Sequence, residues 1–154
     1  MKVSPIIISN DYISHIAQSL DYGMICFVNP QTYEFEDVPH DFLCGMYHDE
    51  TCQEAVNRVD QWGQYITIDR PGQTESVEIM QAFIDRYIPT GVLKEELKSA
   101  LILRRPVQKF NSIVKKTDYC NKWVSFNRRQ MMKHIRRKLD DHISQYSSLP
   151  GVAV

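Results

Sequence analysis

The apolar positions change period early in the chain. In "SNDYISHIAQSLDYG" Tyr12 or Ile13, Ile16, Ala17 and Leu20 recur at helical spacing. Ser9, Asn10 or Asp11 can cap that helix and Gly23 ends it. "MICFVNPQTYEFED" then holds two β-rich runs, Met24–Val28 and Tyr33–Glu36, separated by "NPQT", whose turn chemistry predicts a hairpin. On its second strand Tyr33 and Phe35 share one face, and Glu34 and Glu36 share the other.

Helical spacing returns in "TCQEAVNRVDQWG". Thr51 and Glu54 match a capping box, and Cys52, Ala55, Val56, Val59 and Trp62 form a core-facing stripe that Gly63 stops. "QYITID" reads as a third strand beside the hairpin, and "RPGQ" as a turn. The remainder is helical. Val77, Met80, Phe83, Ile84 and Tyr87 form one stripe, and "PTG" breaks it. Leu93, Leu97, Ala100 and Leu101 form the next, and Pro106 suits the first turn of a helix carrying Phe110, Ile113 and Val114. A last helix lies within "NKWVSFNRRQMMKHIRRKLDDHISQY". The predicted fold is α+β: an N-terminal helix, a small antiparallel sheet made of a hairpin plus a third strand, and a helical C-terminal half. It forms a single domain over 1–154, with loose termini at 1–9 and 147–154.

At 154 residues such a domain buries roughly two thirds of the surface its unfolded chain exposes. The apolar run in "MKVSPIIISND" is three isoleucines, too short for a secretory signal, and no run approaches the ~20 apolar residues of a spanning helix. A cytoplasmic protein is expected. Its four cysteines, Cys26, Cys44, Cys52 and Cys120, are then reduced thiols, with a Cys26–Cys44 or Cys44–Cys52 disulfide as the alternative.

The net charge of −1 conceals two opposed halves. Residues 1–98 hold 16 Asp/Glu against 6 Lys/Arg, and residues 99–154 hold 12 Lys/Arg against 3 Asp/Glu. All 12 of those cations lie between Arg104 and Lys138, where Asp118 is the one acid. The asymmetry points to an anionic partner, or to the halves attracting each other.

Three stretches resemble a bacterial family known as uncharacterised protein family zero-one-five-eight. The hairpin "CFVNPQTYEF" is similar to its strand–turn–strand with Thr-Gly-Glu, here Thr32-Tyr33-Glu34. "YITIDR" leading into "IMQAFID" is similar to its Tyr-Ile-x-Leu-Pro strand and Met-x-x-Phe-Ile helix. "LKSALILRRPVQKFNSIV" followed by "KWVSF" is similar to its Ala-Leu, Lys/Arg-Phe-Lys and Trp pattern. The resemblance spans roughly residues 10–140. The family's Gly-x-Gly-Ala turn is replaced here by "LRRPV", and its turn glycine by Tyr33. The resemblance implies a fold and a bacterial cytoplasm, and carries no activity.

Two features hold candidate chemistry. In "HDFLCGMYHDETC" His40, Cys44, His48 and Cys52 stand four apart, and these residue types are zinc ligands. On a straight helix His40 and Cys52 would lie roughly 18 Å apart, so a shared ion requires a break near Gly45, and no Cys-x-x-Cys or His-x-x-x-His knuckle is present. Cys52 on an apolar stripe also reads as a small hydrophobe. No phosphate-binding glycine loop, nucleophile elbow or His-Glu-x-x-His occurs, so no catalytic residue and no cofactor is expected. Glu34/Glu36 and "LDDHI" read as solvated charge.

The second feature is cationic. At ~100° per residue, Lys122, Arg129, Lys133, Arg136 and Arg137 fall within about one 100° sector of the last helix, beside an apolar stripe of Met132, Ile135, Leu139 and Ile143. Arg104, Arg105 and Lys109, with Lys115 and Lys116, extend that surface if the helices lie side by side. Phe110, Tyr119, Trp123 and Phe126 are interleaved, either as core or as stacking platforms for unpaired bases. The expectation is a non-catalytic binding or regulatory protein whose basic helices meet nucleic acid or an acidic protein, with no membrane partner. The alternatives are a self-associating protein, acidic half to basic half and so a possible homodimer, and a metal protein or enzyme using His40–Cys52.

Overall fold

The structure, a computed structural model, describes residues 8–148, with side chains through residue 142. Of the termini expected to be loose, 1–9 and 147–154, residues 1–7 and 149–154 lie outside the described residues, while Ser9 caps the first helix and 147–148 end the last one. The described chain gathers into two compact units, one from 8–70 with 132–148 and the other Pro71–Met131.

The first unit has α+β architecture. Helix α1 (Asn10–Asp21) is capped by Ser9, whose hydroxyl accepts from the Tyr12 amide at 3.1 Å. Its Ile13, Ile16, Ala17 and Leu20 are fully buried, each large side chain contributing about 1.5–3 kcal/mol. Strand β1 (Met24–Val28) is central, antiparallel to β2 (Phe35–Pro39) on one side and β3 (Ile66–Ile68) on the other. Both sheet faces are covered. On one, Phe35 meets Tyr12 edge-on at 5.7 Å and Ser19 of α1 donates to Asp37 at 2.8 Å. On the other, Glu36 meets Arg58 of α3 (Glu50–Gln61). That double cover explains why Ile25 and Val38, on the opposite face from Cys26 and Val28, are buried too.

The second hairpin strand begins two residues later than its sequence predicts. Tyr33 adopts a left-handed backbone at φ 64°, and Asn29 holds the turn by accepting from the Gln31 and Thr32 amides. Glu34 therefore still belongs to the turn. The predicted cap of α3 also moves: the Asp49 carboxylate takes the Cys52 amide at 3.0 Å, and Thr51 lies inside the helix. Short helix α2 (His40–Leu43) ends at Gly45, φ 78°, where the amides of Gly45 and Met46 donate back to the carbonyls of Phe42 and Asp41.

The second unit is helical: α4 (Gln73–Tyr87), α5 (Val92–Ile102), α6 (Pro106–Val114) and the start of α7 (Cys120–Ser148), whose residues from Met132 onward belong to the first unit. Its core is aromatic. Phe83 lies 5.1–6.4 Å from the rings of Tyr87, Phe110, Trp123 and Phe126, and the Trp123 indole donates to Asn111 at 2.9 Å. On α7 the buried run is Met131, Ile135 and Leu139, with Met132 only half-buried; Ile143 lies beyond the described side chains. All four cysteines are free thiols.

Candidate functional site

The turn between α5 and α6 builds the most chemically defined surface. Leu103 leaves α5 in an extended conformation, Arg105 turns left-handed at φ 52°, and Pro106 starts α6 with the fixed φ that a first helical position wants. Leu97 and Ala100 of α5 and Phe110 and Val114 of α6 are buried. The remaining facing sides leave an open cleft of about 560 Å³ lined by Glu96, Ser99, Ala100 and Leu103 from α5 and its end, and by Arg105, Gln108, Lys109, Ser112 and Ile113 from α6. The spacing explains the composition. Arg105, Lys109 and Ser112 fall within about 60° around α6, while Phe110 and Val114 point elsewhere.

The cleft lining combines apolar Ala100, Leu103 and Ile113 with cationic Arg105 and Lys109. Leu103 and its neighbour Ile102 remain 56% and 85% exposed. Arg105 and Lys109 face one carboxylate, Glu96, with no ion pair to it. The first turn of α6 has no acid, and no side chain caps it, so the positive end of its dipole adds to the same field. A second depression, of about 670 Å³ beside Val92, Glu95 and Glu96, has no cation in its lining.

The eight candidate anion-binding residues divide between the units. Arg104, Arg105, Lys109, Lys122 and Arg129 belong to Pro71–Met131, and Lys133, Arg136 and Arg137 to the other unit. Arg104, Arg105, Lys109 and Arg129 form no ion pair with a carboxylate of their own unit. Lys122 sits over the Tyr87 ring with its Nζ 5.9 Å from the centroid, and Arg86 approaches the same ring at 5.5 Å. Lys133 and Arg137 are exposed. Arg136 is already engaged: it donates to the Asn10 side chain at 2.8 Å and to the Ile8 carbonyl at 3.3 Å, fastening α7 to the start of α1. The stacking role is overturned for three of the four aromatics. Phe110, Trp123 and Phe126 are at most 6% exposed and belong to the core, leaving no ring face for a base. Tyr119 packs against the same cluster, half-buried.

Of the four candidate metal ligands, two meet. Cys44 Sγ stands 3.6 Å from His40 Nδ1, one helical turn away, and both are exposed. His48 lies beyond the Gly45 break, and Cys52 sits half-buried at the start of α3 beside the Asp49 cap. That cap holds the Asp49 carboxyl below its usual range through the Cys52 amide, and burial with the neighbouring Asp49 charge pushes the Cys52 thiol up. Among the described residues no group of three or more His, Cys, Asp or Glu side chains is placed to hold a metal ion. The pair Glu34/Glu36 is no free couple, since Arg58 takes both oxygens of Glu36.

Sequence reasoning missed Glu96, Ser99, Gln108 and Ser112 as neighbours of Arg105 and Lys109. Their three- and four-residue spacing was the available signal, and it becomes a site only once α5 folds back on α6. No family model, curated protein or solved structure matches this chain. Among the described residues no helix is long and apolar enough to cross a membrane.

Proposed function

We propose that this is a non-catalytic binding protein, working in a reducing cytosol, whose helical unit takes an acidic partner on the α5–α6 cleft and the cations around it. One observation carries the reading: Arg105 and Lys109 line a cleft together with apolar side chains, and among the described residues no carboxylate is paired to them. Two further features support it. Pro71–Met131 holds 11 Lys/Arg against 6 Asp/Glu, an excess that attracts anions. Arg105 also keeps a long side chain at a left-handed backbone position that costs about 1–2 kcal/mol, strain of a kind that tends to collect at binding sites. The chemistry at the rim suits phosphates and carboxylates alike. The apolar part of the lining favours a polypeptide, because a phosphate backbone gains nothing from Leu103 and Ile113.

Fluorescence anisotropy with a labelled oligo-glutamate and a labelled RNA oligonucleotide tests this. Both should bind at low salt and weaken as salt rises. Reversing Arg105 and Lys109 to Glu should lower affinity by about tenfold or more, and reversing Lys133 and Arg137 should change it about twofold or less. Wild-type protein that binds neither probe at low salt refutes the reading.

A further inference from the structure

The first unit carries a surface that complements the cleft in both respects. From the end of α2 into the segment before α3 the chain exposes Leu43 (39%), Met46 (71%) and Tyr47 (45%), three large apolar side chains within five residues. The segment is held in shape. Gly45 turns it, the Met46 amide is bonded to the Asp41 carbonyl at 3.0 Å, and the Phe42 and Tyr47 rings meet at 5.9 Å. Met46 therefore stands on a formed support, and little order has to be gained when it is bound. Flanking it in sequence are Asp41, Asp49 and Glu50, within a unit of net negative sequence: residues 1–70 with 132–154 hold 13 Asp/Glu against 7 Lys/Arg.

We infer that the occupant of the α5–α6 cleft is the Leu43–Tyr47 knob of a second copy of this chain. Met46 enters against the apolar lining residues Ala100, Leu103 and Ile113, to which a flexible thioether adapts well. Asp41, Asp49 and Glu50 of that copy then face Arg104, Arg105 and Lys109. The two surfaces are different patches of the same molecule, so the contact is heterologous. Each copy offers one knob and one cleft, and the assembly closes into a ring or extends as a chain. A single knob in a single cleft is a small interface, so the association is weak, and it is salt-sensitive because its rim is charged. This inference deepens the reading above by naming the acidic partner, and rests on it.

The test is sedimentation velocity of the full chain between about 5 and 500 μM, the range in which a small interface dissociates. Wild-type protein should grow beyond a monomer with concentration and return to it as salt rises. Met46→Lys, which spoils the knob, and the double variant Arg105→Glu/Lys109→Glu, which spoils the cleft, should each remain monomeric while keeping the wild-type circular dichroism spectrum. Mixed in equal amounts they should form a 1:1 complex and nothing larger, since together they supply one intact knob and one intact cleft. A wild-type monomer at every concentration, assembly that persists in either variant, or no complex on mixing overturns the inference. If the wild type stays monomeric yet binds oligo-glutamate at Arg105 and Lys109, self-docking alone is refuted and the acidic-partner reading stands. If it binds no acidic probe, both fall.

Discussion

Arg58 closes on Glu36 with both arms of its guanidinium, Nε to Oε2 at 2.8 Å and Nη2 to Oε1 at 2.9 Å, joining α3 to the second hairpin strand. This is how the first unit spends a cation: bidentate, on its own carboxylate, across an element boundary. Arg136 is spent in the same unit on Asn10 and Ile8. Arg105 and Lys109 have no such partner in theirs. Cations used for internal structure are thus distinguishable here by geometry from cations that are not, and two of the second kind, Arg105 and Lys109, line the cleft.

The Arg58 pair makes a pH prediction. The hydrogen bond from the guanidinium, aided by its charge, holds the Glu36 carboxyl below its ordinary value of 4.5, with partial burial opposing. A carboxyl depressed in the folded state contributes stability that is present above the unfolded pKa and is lost as pH falls through the folded one. Melting temperature should therefore fall between about pH 5 and pH 3, and Glu36→Gln should flatten that part of the profile while leaving the slope above pH 6 unchanged. An unaltered acid limb in the variant would remove the pair from the stability of the sheet.

Phe83 is the ring that the second unit is built around, fully buried and touching four other aromatics. Phe83→Ala should cost about 3–5 kcal/mol in denaturant unfolding, the range for a large side chain deleted from a packed core. It should also shift Trp123 emission to the red as water reaches the indole. Val124→Ala, at a side chain 59% exposed on the same helix, should cost about 0.5 kcal/mol or less.

Glycine at position 105 separates stability from binding. A left-handed backbone costs a residue with a Cβ about 1–2 kcal/mol, and glycine avoids that cost while losing some of the gain to its freer unfolded chain. Arg105→Gly should be as stable as the wild type or up to about 1 kcal/mol more so, and Arg105→Ala less stable than Arg105→Gly. Both should bind oligo-glutamate about tenfold more weakly, because each removes the same charge-assisted contact.

Much of the fold was legible because apolar period and burial agree. The stripe of α1 and the Met80–Phe83–Ile84 face of α4 pack as their spacing predicts. The failures are local. Tyr33 and Arg105 are left-handed although neither residue type announces it, which delays β2 and sharpens the α5–α6 turn. At α3 two caps competed, and Asp49 prevails because its carboxylate reaches the Cys52 amide. On α7 Met131 rather than Met132 is buried, four and eight residues before the buried Ile135 and Leu139. The cations were visible as a run, but their division between two units was not, since one continuous helix carries residues of both.

Cys26 and Cys44 should mark opposite extremes of thiol behaviour. Cys26 is fully buried on β1, and burial, reinforced by the Asp37 charge opposite it, pushes its pKa up to about 12; the Ser19 hydroxyl only partly offsets this. The thiolate is the reactive form, so at neutral pH Cys26 is both protonated and out of reach. Cys44 lies exposed beside His40. Titration of native protein with an aromatic disulfide reagent should show one fast thiol that Cys44→Ser abolishes, with Cys26 modified only as fast as the chain unfolds. The same burial fixes the sign at alkaline pH. Between the ordinary thiol value of 9.0 and about 12 the unfolded chain releases this proton and the folded one keeps it, so stability is intact below pH 9 and declines as pH rises through that window. Tyr12, also pushed to about 12 by burial, adds to the decline from pH 10 upward. Cys26→Ala should therefore lower stability at pH 7 through the lost packing, yet make the slope between pH 9 and 10 shallower, where tyrosine has barely begun to titrate. An unchanged slope there would mean that the thiol ionises as readily in the folded protein as in the unfolded one.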